Sequence, residues 1–67
     1  SITAQVKMTL LFNRSTSALK TKVETHDGVV TLTGTAKNTA EKDLATKLVT
    51  DINGVENVVN NMDVENS

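Results

Sequence analysis

Few side chains in this sequence could do chemistry. His26 is the single histidine, and Asp27 follows it. The chain has no cysteine, which excludes a disulfide and a thiolate metal site. A histidine and an aspartate adjacent on a strand do not make an acid–base dyad, because successive side chains point to opposite faces. Nothing places a nucleophile beside His26. One histidine among scattered carboxylates cannot furnish a metal triad either. These residues give no ground for expecting an enzyme, a metal ion or a cofactor.

Charge and apolar surface are more informative. Lys7, Arg14, Lys20 and Lys22 all precede the first acid, Glu24, whereas Asp51, Glu56, Asp63 and Glu65 crowd the end, where no base occurs. The net charge of −1 and pI of about 5.6 argue against a general nucleic-acid binder. Phe12 is the only aromatic residue, so no stacking platform for RNA exists. The basic half can meet an anionic bilayer, at about 1 kcal/mol per cation near the surface, or simply form a solvated face.

These residues must be positioned by a small scaffold. A chain of 67 residues makes one domain, which buries roughly 60% of its unfolded surface. No apolar run approaches the roughly 18 residues of a membrane span and no signal-peptide pattern opens the chain. The start at Ser1 suggests a piece excised from a longer protein.

Ile2, Val6 and Leu10 recur every four residues and define one face of a first helix, for which Ser1 is a plausible N-cap. Met8, Leu11 and Phe12, with Ala4, form a second apolar face roughly opposite. Two readings stay open for that second face. The helix is wedged between a sheet and another helix, or covered at its end by the following loop; or the face is an exposed ridge for lipid or a protein partner. Lys7, Met8, Leu11, Phe12, Arg14, Lys20 and Lys22 are the candidate contact residues.

Asn13 to Ser17 reads as a loop, and Ala18 to His26 alternates as a strand, with Leu19, Thr21, Val23 and Thr25 on one face. Asp27-Gly28 is a type I′ hairpin signal, since both positions need positive φ. It sets His26 opposite Val29, Val23 opposite Leu32 and Thr21 opposite Gly34. Gly34, on the inward face, marks a bulge or a close approach, with a helix or the third strand expected to cross it. Asn38 and Glu41 have the spacing of a capping box. Leu44, Ala45, Leu48, Val49 and Ile52 make the buried face of a second helix, and Gly54 supplies its C′ stop. Val55 to Val64 reads as one last strand with Val58, Asn60, Met62 and Val64 inward. Asn60 is then a structural hydrogen-bonding residue, toward backbone near Gly54 or a strand edge. The fold class is α+β, ordered α-β-β-α-β: a three-stranded mixed sheet with both helices packed on one face, the last strand parallel to the second through a right-handed crossover. The other face is rich in Thr and Lys and open.

The ordered set Ile2-Thr3-Ala4-Gln5-Val6-Lys7, then Lys22-Val23-Glu24-Thr25 leading into Asp27-Gly28-Val29-Val30-Thr31-Leu32-Thr33-Gly34, resembles the BON domain, the bacterial osmotically inducible and nodulation protein family. Glu41, Ala45 and Ile52, then Gly54-Val55 and Val58-Val59-Asn60-Asn61-Met62, extend the resemblance to roughly residues 1 to 64. It implies a non-catalytic module of the periplasm or cell envelope that binds phospholipid surfaces, similar to domains in osmotic-stress proteins, envelope lipoproteins, secretins and mechanosensitive channels. The family's glycines correspond to Gly28, Gly34 and Gly54 and look structural. Two departures are visible: Met8, Leu11 and Phe12 make the first helix unusually apolar, and the family often carries two such domains in tandem. The partners expected are an anionic phospholipid surface, an envelope protein or a second copy of the domain. No nucleic acid is expected, and the isolated domain should be monomeric. The competing reading is a protein-interaction module in an envelope assembly, using the open sheet face or a strand edge.

Overall fold

The elements run α1 (Ile2–Phe12), β1 (Lys20–His26), β2 (Val29–Ala36), α2 (Thr39–Thr50), β3 (Asn57–Asn60) and β4 (Asp63–Val64). They come from a computed structural model that describes residues 1–17 and 19–65. The strand expected from Ala18 begins at Lys20, and Ala18 itself lies outside the described residues.

β2 is the central strand, as its run of Val and Thr favours. It pairs antiparallel with β1, His26 opposite Val29 and Val23 opposite Leu32, the register that the turn dictates. Asp27 (φ 48) and Gly28 (φ 78) adopt the two left-handed conformations of a type I′ turn. β3 and β4 run parallel to β2 on its other side.

The sheet has four strands where the sequence suggests three, because the last one is interrupted. The pairing keeps step across the gap, Leu32 opposite Asn60 and Thr35 opposite Asp63. Asn60 explains the gap. Its Oδ1 accepts the Met62 N–H at 3.0 Å, so a side chain replaces the ladder at Met62. Its Nδ2 donates to the Lys42 carbonyl (2.9 Å) and to Thr46 Oγ1 (2.7 Å), both on α2. Asn60 therefore ties the strand edge to α2 and not to backbone near Gly54.

Val6, Leu10, Val23, Val30, Leu32, Ala36, Ala45, Val49 and Met62 form the core between the sheet and the two helices. Asn38 caps α2 through Oδ1 to the Glu41 N–H (2.8 Å). Glu41 reaches back to the Lys37 N–H (3.0 Å), one residue before the usual capping-box partner. α2 stops at Thr50 with Asp51 as a right-handed cap. Gly54 (φ 93) lies beyond the helix end, in the turn closed by Val55 N–H to the Ile52 carbonyl, with Ile2 packed over it.

Gly34 is required for a different reason than a crossing helix or third strand. At φ 123 a Cβ there would overlap the carbonyl oxygen of Lys20 on the neighbouring strand. A Cβ at Gly28 would meet only the flexible Glu56 side chain. Gly34→Ala should therefore cost at least about 3 kcal/mol and lower the thermal midpoint by more than about 10 °C. Gly28→Asn, in a conformation asparagine tolerates, should cost under about 1 kcal/mol. A calorimetric midpoint for Gly34→Ala within about 2 °C of wild type would contradict this packing.

Candidate functional site

α1 owes its two apolar faces to spacing, at about 100° per residue. Val6 and Leu10 are buried, with Ile2 half-buried beside them. The opposite side carries Met8, Leu11 and Phe12, which are 55%, 62% and 77% exposed. Among the described residues neither sheet, second helix nor loop covers them, so the wedged or covered reading of this face is wrong. The physical reason lies in placement. α1 packs on β1 and α2 with its Val6–Leu10 stripe, and α2 occupies the remaining sheet face. Among the described residues no further element lies over the outer side of α1.

The ridge has two flanks. Toward α2, Met8 and Phe12 border a shallow groove of about 370 Å³ with Gln5, Thr9 and Ile52. Toward the β1 edge, Leu11 and Lys7 line a groove with Leu19, Thr21 and Val23. α1 itself contains no acidic residue. Lys7 is therefore an uncompensated cation on the helix that carries the ridge.

The turn after α1 fixes the ridge end. Thr16 is buried, 1% exposed, and its hydroxyl donates to the Leu10 carbonyl at 2.6 Å. Asn13 Oδ1 accepts the Ser15 N–H at 2.9 Å. This fold of the loop satisfies a helix-end carbonyl that would otherwise be orphaned. Thr16 was not singled out from sequence, where a threonine in a polar run looks like loop; nothing in its neighbours signals burial. At the other end Thr3 Oγ1 and Thr25 Oγ1 are 2.7 Å apart, fastening α1 to β1.

The remaining candidates separate. Arg14 stands past the end of α1, in a depression of about 440 Å³ shared with Lys37, Asn38 and Glu41. Lys20 and Lys22 point to the open sheet face, on the side away from the helices, beside Thr35 and Thr33. So Lys7, Met8, Leu11 and Phe12 share one helix surface, Arg14 lies at its end, and Lys20 and Lys22 do not join it. Lys22 Nζ is 3.5 Å from Glu24 Oε1, both exposed.

His26 and Asp27 need a correction. Their side chains do not diverge: Nε2 and Oδ2 are 3.3 Å apart. Asp27 has left the strand for the left-handed turn, which swings its carboxylate back. Both side chains are about nine-tenths exposed, so no desolvation strengthens the contact. Among the described residues, no cluster of three or more His, Cys, Asp or Glu could hold a metal ion.

The family model of the BON domain matches residues 1–66, and the chain belongs to that family. A search of curated proteins finds no match.

If the ridge is surface and not core, serine should be tolerated there. Met8→Ser, Leu11→Ser and Phe12→Ser should each change the urea unfolding free energy by less than about 0.5 kcal/mol. Leu10→Ala on the opposite face should cost about 2–4 kcal/mol. A Phe12→Ser protein that unfolds as readily as Leu10→Ala would return the ridge to the core.

Proposed function

We propose, taking membership of the BON family as the premise, that this chain is a non-catalytic module that docks weakly on phospholipid surfaces through the outer face of α1. The observation that carries the reading is the exposed trio Met8, Leu11 and Phe12 on a helix whose other face is already buried. A helix with one face in the core does not need a second apolar face for folding. An interfacial helix does need one, with cations beside it.

The proposed contact has an apolar and an electrostatic part. Each of the three side chains contributes roughly 1.5–3 kcal/mol if it becomes fully buried among acyl chains. Lys7 and Arg14 each add about 1 kcal/mol near an anionic surface. Glu56, Asp63 and Glu65 lie in and around β3 and β4, across β2 from β1, whereas Asp51 adjoins Ile52 of the Met8–Phe12 groove. With a net charge of −1, attraction depends on orientation: the basic end favours the bilayer and the acidic end opposes it. That fits reversible adsorption better than permanent anchoring, and among the described residues no helix is long and apolar enough to cross a membrane. We place the module in the periplasm or cell envelope, acting during osmotic or envelope stress.

Titration with anionic vesicles, followed by backbone NMR, tests the reading. Shifts should concentrate at Lys7, Met8, Leu11, Phe12 and Arg14, fade as salt rises, and leave Lys20 and Lys22 unmoved. Phe12→Ser should weaken partitioning by about tenfold or more, the equivalent of about 1.4 kcal/mol. No perturbation with anionic vesicles at low salt sinks the proposal for this domain.

A further inference from the structure

The β1 edge borders the Leu11 flank of the α1 ridge but offers a different kind of contact, its backbone. In a two-residue hairpin the residues flanking the turn exchange both backbone hydrogen bonds, and alternate pairs do so along the ladder. His26, Glu24, Lys22 and Lys20 thus direct their backbone groups to β2. Thr21, Val23 and Thr25 direct theirs outward. Among the described residues no backbone hydrogen bond outside the hairpin reaches those three. Nor does any strand lie beyond β1 in the sheet order.

The sequence of this edge is self-complementary. Lys20-Thr21-Lys22-Val23-Glu24-Thr25-His26 can be laid antiparallel on itself with Val23 opposite Val23. Thr21 then faces Thr25, and Lys22 faces Glu24, twice. Lys22 and Glu24 fall at the non-hydrogen-bonded pairs, where side chains approach most closely. Lys20 meets the imidazole of His26 and not a second ammonium. Slipping by two residues sets Lys22 against Lys22, with Lys20 against Glu24 on either side, or sets Glu24 against Glu24. Like charges directly opposite are destabilising, so the Val23-centred register is favoured over both.

We infer that β1 is a docking edge for a second copy of this chain, joined antiparallel through Lys20–His26 with Val23 on the two-fold axis. This goes beyond the lipid reading and does not depend on it, and it departs from the expectation of a monomer. Edge lysines usually discourage pairing. Here Glu24 offsets them, and among these registers the Val23-centred one does so without setting like charges opposite.

Charge exchange tests it in the absence of lipid. Lys22 and Glu24 are exposed side chains, so Lys22→Glu and Glu24→Lys leave the core intact, which circular dichroism checks. By sedimentation equilibrium up to about 1 mM, the wild type should show concentration-dependent dimers and each single variant only monomers. An equimolar mixture of the two variants should associate again, since both pairs between positions 22 and 24 become Glu with Lys. The double variant should dimerise like wild type. In the wild type, amide exchange at Thr21, Val23 and Thr25 should slow with concentration. A wild type monomeric at about 1 mM, single variants that dimerise undiminished, or a mixture that stays monomeric overturns the inference. The lipid reading is tested separately, through Phe12→Ser on the α1 ridge, so failure here leaves it standing.

Discussion

The carbonyl of Gly28 is the point on which the sheet depends. Asp27 and Gly28 turn the chain so that β1 and β2 pair in one register. The same Gly28 carbonyl then accepts the Glu56 N–H at 2.8 Å and lies 3.4 Å from the Asn57 nitrogen. One peptide thus closes the hairpin and starts the parallel strand. Because a slip of one residue would turn every side chain to the other face, this anchor decides which residues reach the core. Val30, Leu32 and Ala36 point in from β2, and Val58, Asn60 and Met62 meet them from β3 and the gap after it. The helices inherit their positions from that apolar face.

What the sequence made legible follows from locality. The Asp27-Gly28 turn, the Asn38 cap and the alternation of β1 are set by chemistry within a few residues, and each is found where its spacing puts it. The features it did not reveal depend on residues far apart. The break between β3 and β4 arises because Asn60 takes the Met62 N–H while its amide reaches α2, eighteen positions back in sequence at Lys42. The need for glycine at position 34 is visible locally, but the obstacle is Lys20 on another strand. Thr16 becomes a buried residue only because the Leu10 carbonyl lacks a partner at the end of α1. Periodicity alone cannot report any of these.

The candidate site shows the same division. Spacing in α1 dictates two apolar faces, but not what covers the second. That depends on how many elements the chain has to cover a sheet, and two helices suffice. A core of Val, Leu, Ala and Met with no buried aromatic is small, so leaving three large side chains exposed gives up burial this domain could use. A contiguous exposed apolar patch of this kind marks an interaction surface, which is the ground for the proposed lipid contact. Lys20 and Lys22 show the converse error. They are near Arg14 in sequence and share its charge, yet strand alternation sends them to the opposite face of the sheet from the helices.

The two surfaces proposed here reinforce each other through symmetry. Antiparallel pairing about Val23 sets the two-fold axis perpendicular to the sheet. Both copies then keep their helices on the same side of one extended sheet. Two α1 ridges face one direction, and the open Thr and Lys face points the other way. A bilayer that binds one ridge weakly meets the second at high effective concentration, so the pair gains affinity with no new lipid contact. Binding in turn concentrates the chains in a plane with their β1 edges level, which favours pairing by mass action. Neither contact need be strong alone. A module with an overall net charge of −1 and a single ridge can therefore be loosely held when sparse and firmly held when crowded on a surface.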